Sequence, residues 1–328
     1  MRKMFVRADD VGYTKVFNIG AFEALTDGIA TSADVMLDCP GTEDALLRLR
    51  EMPWISVGWH IHLWGAPILS ADRVSTLIEQ DGEFKGRFRT DIRSAADVDA
   101  GQLKDELRAE LTRCVDILGR APVSCDVGPA DSPFSRIVIG LCDEFGIAYH
   151  FQTKKGTDPR VRDIVYESRK SDPNWVKKFE DGSAFADALP DEKWKDRHIL
   201  MFDGQFAYKD LYTDSIASVE NSYDPARYYI EDRPGILALD EEIICGQAWH
   251  PGCVDYYVYR QGERANRPRA QQFVICRTQD AHALCSEALK SWVIDNRIEL
   301  VSIGDAIYGK SDYQNHLRAI GSALAVSH

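Results

Sequence analysis

Short apolar runs alternate along the chain with longer stretches in which apolar residues return every three or four positions. The first rhythm predicts buried strands and the second amphipathic helices. Strands are expected at 3–7, 29–37, 55–63, 123–127, 147–151, 199–202, 242–249 and 299–303, and helices at 16–26, 42–50, 102–118, 134–145, 211–219, 225–230 and 280–295. The clearest helix is 102–118, where Leu103, Leu107, Leu111, Val115 and Leu118 share one face. Asp27-Gly28 and Gly146 are suitable helix stops, and Thr42 is a candidate N-cap.

Three stretches break the rhythm. Residues 64–101 are polar, with turn signals at Gly65-Ala66-Pro67 and Asp81-Gly82, and 154–197 are charged and turn-rich. Both are expected to be insertions or lids within one domain covering 1–328, because strand–helix alternation resumes after each. Residues 252–270 read as a polar loop with aromatics. Seven or so strands separated by helices predict an α/β fold with a parallel sheet, and α/β barrels similar to the TIM barrel commonly reach this length as one unit. In such folds the chemistry gathers at the C-terminal ends of the strands.

Those ends are unusually rich in acids and histidines. The first strand ends in Asp9-Asp10, the third in His60-Ile61-His62, the fourth in Cys125-Asp126, and a late one in Trp249-His250-Pro251. Two adjacent acids resist joint ionisation unless a cation lies between them, so the pair suggests one general base and one metal ligand; turn and helix-cap chemistry before Gly12 would use the same residues. His60 and His62 are two apart, which on a strand places them on one side about 7 Å apart at Cα, within reach of one metal ion. A single histidine there would more often be satisfied within the core. Pro251-Gly252 forces the chain to turn after His250, a position from which an imidazole can protonate a leaving group. Trp64 shares the parity of His60 and His62 and could stack on a sugar face, with Tyr256 in the later loop a second candidate substrate contact. Trp59 and Trp249 have the opposite parity and are expected to pack.

Composition narrows the field of partners. Of 328 residues, 45% are hydrophobic and 28% charged, ordinary for a globular chain. A net charge of −13 argues against nucleic acid and against anionic membrane surfaces. No apolar stretch reaches the length of a membrane span, and two acids arrive too early for a secretory signal, so no membrane partner is expected. The eight cysteines include no C-x-x-C pair and several lie in apolar runs, which suggests reduced, buried thiols and a cytoplasmic protein. No G-x-S-x-G, Walker-type loop or G-x-G-x-x-G follows a strand.

Several blocks resemble the YdjC-type, or chitooligosaccharide deacetylase-like, carbohydrate deacetylases. They are Arg7-Ala8-Asp9-Asp10-Val11-Gly12, Asn18-Ile19-Gly20, the run from Asp27 to Met36, the run from Val57 to Pro67, Leu118-Gly119-Arg120-Ala121-Pro122 with Asp126, His250-Pro251-Gly252, and Arg277 with the helix after it. The resemblance implies a distorted parallel barrel and a metal-dependent hydrolase that removes an acetyl group from an N-acetylated sugar or small oligosaccharide. It assigns Asp9 as base, Asp10 and His60 as metal ligands and His250 as acid. A homodimer is plausible for the family.

The chain departs from the family's third motif, D-x-H-x-H-x-H, because Gly128 stands where a histidine ligand is expected, and His62 stands where the family has asparagine. Three outcomes follow. His62, Asp126 or Asp131 completes the shell of one divalent ion, zinc or magnesium, with Asp131 otherwise a substrate contact. Or the site is a metal-free acid/base enzyme, a lyase, isomerase or amide hydrolase acting on a sugar derivative. Or the protein is a non-catalytic carbohydrate-binding relative.

Overall fold

The computed structural model describes residues 1–127, 132–154, 161–166, 198–203, 223–264 apart from 234, 240 and 242, and 270–326. Its elements run in the order β1 Lys3–Val11, α1 Lys15–Thr26, β2 Ser32–Val35, α2 Thr42–Arg50, β3 Ser56–Trp59, α3 Ala100–Leu118, β4 Ser124–Asp126, α4 Pro133–Phe145, β5 Ala148–Lys154, β6 Val161–Tyr166, β7 His198–Asp203, α5 Pro225–Ile230, β8 Ile243–Trp249, α6 Tyr256–Arg264, α7 Ala270–Cys285, α8 Glu287–Asp295, β9 Glu299–Leu300, α9 Ile303–Tyr308 and α10 Asp312–Ala319. The predicted helix 211–219 lies outside the described residues.

The strands pair in the order β2-β3-β4-β5-β6-β7-β8-β1, and a β1–β2 pairing closes the sheet into a distorted barrel. Every pairing is parallel except those of β6, which is antiparallel to both β5 and β7. This strand comes from the charged stretch 154–197, so part of that stretch belongs to the sheet. The short β9 lies beside the start of β1, at Lys3 and Met4.

Strand parity separates two environments along β1. Met4, Val6 and Ala8 belong to the large apolar cluster that includes Phe17, Ala21 and Leu25 of α1. Phe5 has the opposite parity and packs with Ala148, Ile244, Ala248, Val301 and Ile303 in a separate cluster. Burying such a phenylalanine contributes about 2–3 kcal/mol. The N-terminus of α9 closes this cluster: Ile303 N donates to Ser32 Oγ and Gly304 N to Ser56 Oγ, both at 2.9 Å. Arg7 and Asp9 continue the parity of Phe5 toward the C-terminal rim.

Several expectations change in detail. Thr42 does not cap α2; the N-cap is Gly41, and Thr42 Oγ1 donates to Met36 O at 2.7 Å, tying the helix start back to β2. Residues 252–270 are not all loop, because Asp255 Oδ1 accepts from Tyr257 N and Val258 N and opens α6, which buries Val258 and Gln261. The predicted helix 280–295 is two helices, separated where Ser286 caps α8 through Leu289 N.

Residues 64–101 fold over the rim between β3 and α3. Val74, Leu77, Ile78, Phe88 and Ile92 are buried there, and Arg264 of α6 pairs with Glu79 at 2.7 Å. All eight cysteines are free and six are buried. Among the described residues, no helix is long and apolar enough to cross a membrane.

Candidate active site

Asp9 and Asp10 are neighbours on a strand, yet both act on His60, Asp9 through space and Asp10 through a side-chain hydrogen bond. The reason is local: the β1–β2 register shifts between Ala8 and Val11, and Asp10 takes a left-handed backbone with φ 60°. Aspartate tolerates this region better than most residues, although it still costs energy that the surroundings must offset. Gly12, at φ 93°, follows immediately, and a β-carbon there would lie 2.8 Å from Met36 O. Asn18 fixes the turn by accepting from Gly12 N at 2.8 Å and donating to Gly41 O at 3.0 Å.

The turn brings Asp10 Oδ1 to 3.2 Å from His60 Nε2 and 3.5 Å from His62 Nε2, while the two imidazole nitrogens lie 2.8 Å apart. Three ligand atoms therefore face one point. In a tetrahedral zinc site with bonds of about 2.05 Å, ligand atoms are roughly 3.3 Å apart; the two Asp10 distances match this, and the imidazole nitrogens at 2.8 Å need only move apart slightly to admit an ion. The donor set, two imidazoles and one carboxylate, suits zinc better than magnesium, which prefers oxygen. Asp10, His60 and His62 are also the one such cluster among the described residues.

Charge supports the same assignment. Burial alone would raise the Asp10 pKa, but Arg277, whose Nη2 donates to Asp10 Oδ2 at 2.5 Å, and His60 hold it well below the usual carboxylate range. For His60, burial favours the neutral ring, but Asp10, Asp9 and Asp34 together raise its pKa. For His62, burial and the neighbouring His60 charge push the pKa well below its ordinary value. The ionised Asp10 and the raised His60 pKa both show that negative charge from Asp10, Asp9 and Asp34 reaches this cluster and favours a positive charge there.

Asp9 is near enough to act electrostatically on His60 and His250. Arg7 grips it with two bonds, Nε to Oδ1 at 2.6 Å and Nη2 to Oδ2 at 2.9 Å. Arg7 also faces Asp34 at 3.2 Å. A β-carbon at residue 58 would lie 2.0 Å from Asp34 Oδ1, so Gly58 provides the room for that buried acid. Asp126 ends β4 and its charge acts on Arg7 and Arg93; it is not part of the three-residue cluster. Gly128 and Asp131 lie outside the described residues.

His250 follows β8 and is held at its backbone, where its N–H donates to Asp280 Oδ2 at 2.9 Å. Burial lowers its pKa to about 4, although Asp10 opposes the shift, so its ring is neutral at rest near pH 7. Close packing fixes the following turn: a β-carbon at Gly252 would lie 2.4 Å from the Phe17 ring. Trp64 stacks on His62, and Tyr256 is 75% exposed on α6. Trp59 and Trp249 are fully buried, as their parity predicts.

Sequence patterning missed Arg7, Asp34 and the Asp10 partner role of Arg277. An arginine two residues before Asp9 on one strand, and an aspartate inside the otherwise uncharged run 32–35, were the available signals for the first two.

A closed α/β barrel carrying a carboxylate and two imidazoles at its rim defines the class of protein, one of barrel proteins with a candidate metal centre at the strand ends. Residues 3–295 match the family described as YdjC-like protein, and the chain belongs to that family. It is similar to a carbohydrate deacetylase of Brevibacillus brevis, with 38% identity over 34% of this chain and 44% of that protein. It is also similar to the mouse carbohydrate deacetylase, with 26% identity over 92% of this chain and 94% of that one. In the bacterial comparison the match spans under half of the relative's length. The fold resembles that of a solved Enterococcus faecalis V583 protein, provisionally described as a cellobiose-phosphate cleavage protein, at TM-score 0.58 and 18% identity over 92% of this chain and 97% of that one.

Proposed function

We propose that the protein is a metal-dependent hydrolase that removes an acyl group, acetyl above all, from the nitrogen of an N-acylated sugar or short oligosaccharide. The observation that carries this is the convergence of Asp10 Oδ1, His60 Nε2 and His62 Nε2 on one point, in a family whose named relatives are carbohydrate deacetylases. Asp10, His60 and His62 hold the ion, with His62 standing in for the histidine that Gly128 replaces. A divalent ion bound there supplies a Lewis acid for the acyl oxygen and lowers the pKa of water toward neutrality.

The remaining steps belong to the chain's own groups. Asp9, oriented by Arg7, accepts a proton from the attacking water. His250 is neutral at rest; it receives the proton that Asp9 took from the water and delivers it to the nitrogen as the C–N bond breaks, which returns both groups to their starting states. The products are the carboxylate and the free amino sugar. Tyr256, exposed at the start of α6, offers a ring face to the sugar.

The test is acetate release from a panel of N-acetylated mono- and disaccharides, measured on chelator-treated protein before and after zinc is restored. The proposal expects release that falls on chelation and returns with zinc. Activity that survives complete chelation would replace it with metal-free acid/base chemistry, and binding without release would leave a carbohydrate-binding protein.

A further inference from the structure

We infer that Trp64 is a positioning residue for His62: its indole holds the imidazole in the orientation that aims Nε2 at His60 and Asp10. The inference rests on the metal-centre reading above and goes beyond it.

Residues two apart on an extended strand have side chains about 7 Å apart. The rings of His62 and Trp64 are instead 4.0 Å apart at their centroids and tilted by only 17°. The residue between them explains the difference. Leu63 has φ 58°, a left-handed backbone that bulky residues rarely adopt, and its side chain is buried. That kink folds Trp64 back over His62. Strain of this kind persists only where neighbours over-determine the conformation.

The neighbours are present at almost every step. Ile61 O accepts from Arg93 and Trp64 O accepts from Arg87. Arg87 is itself fixed, donating to Gln261 Oε1 at 2.9 Å and lying 4.4 Å over the Tyr257 ring. Gly65 N donates to Asp38 Oδ2 at 2.6 Å, and a β-carbon at 65 would lie 1.8 Å from Asp38 O. Tyr13 packs against the indole at 5.8 Å. The segment 64–101 thus supplies two arginines that hold the backbone carrying the ligands, and Trp64 passes that rigidity to the His62 ring.

Imidazole rotation about its last torsion is broad, so a ligand histidine needs an outside constraint. His60 meets His62 edge-on, with rings at 88°. That contact leaves the ring face of His62 for the indole to hold.

Two variants test this. Trp64→Leu keeps apolar bulk without a ring, and Trp64→Phe keeps a ring. In a cobalt(II) titration followed by visible absorption, Trp64→Leu is expected to lose about tenfold or more in affinity, and Trp64→Phe to recover most of it. Equal affinity for the parent and Trp64→Leu overturns the inference. A crystal structure of metal-free Trp64→Leu gives a readout that needs no metal: the His62 ring is expected to turn away from His60, and an unchanged His62–His60 contact overturns the inference. A parent protein that takes up no cobalt would instead sink the proposed function, with the crystal structure still deciding the role of Trp64.

Discussion

Arg277 and Asp10 are 267 positions apart in the sequence and 2.5 Å apart in space, each at most 2% exposed. This pair leaves one Asp10 oxygen for the histidine side and gives the other to a permanent cation. Removing one partner of a buried pair strands the other charge, which typically costs about 3–5 kcal/mol. Arg277→Met should therefore lower the urea midpoint sharply and weaken zinc binding, whereas Arg277→Lys should recover only part of the loss because one ammonium replaces a planar guanidinium. Denaturation of the three proteins with a common slope is the check.

Asp9→Asn should reduce turnover by about two or more powers of ten, the usual contribution of a positioned base. Arg7 keeps Asp34 as a partner at 3.2 Å, so the variant should still fold. Steady-state kinetics beside circular dichroism separates the two effects, and near-parental turnover would remove Asp9 from the mechanism.

His250 gives a prediction in pH. Its folded pKa is about 4, below the ordinary histidine value of about 6.5. Between those two values the unfolded chain binds the proton and the folded chain does not, so stability is full above about pH 6.5 and is lost as pH falls toward 4. Allowing for the partial exposure of the ring, the loss is roughly 1–3 kcal/mol. His250→Gln should flatten that part of the stability curve, measured by urea unfolding at several pH values.

Gly252→Ala should misplace His250. Its new methyl would lie 2.4 Å from the Phe17 ring, and relieving such overpacking typically costs about 1–3 kcal/mol. Turnover should fall further than stability alone explains, because the turn that carries His250 must shift.

The candidate site was partly legible in the sequence. Strand-end logic placed Asp9, Asp10, His60, His62 and His250 on one rim, because apolar runs mark strands and the acids and histidines fall where those runs stop. The Arg277–Asp10 pair was not legible, since nothing local to residue 277 points to residue 10. Nor was the Trp64–His62 stack: it depends on a left-handed leucine, and leucine carries no signal for that conformation. Strand β6 escaped because its run, Val161-Arg162-Asp163-Ile164-Val165-Tyr166, is partly charged and lies antiparallel in an otherwise parallel sheet. The split between α7 and α8 had a usable sign in Ser286-Glu287, a cap residue followed by an acid.

The central claim is that Asp10, His60 and His62 together hold one divalent ion. Calorimetric titration of the chelated protein with zinc tests it directly, with His60→Asn and His62→Asn in parallel. The account predicts one ion per chain for the parent and a large loss of affinity in both variants. Equal binding in all three, or none in the parent, would contradict it.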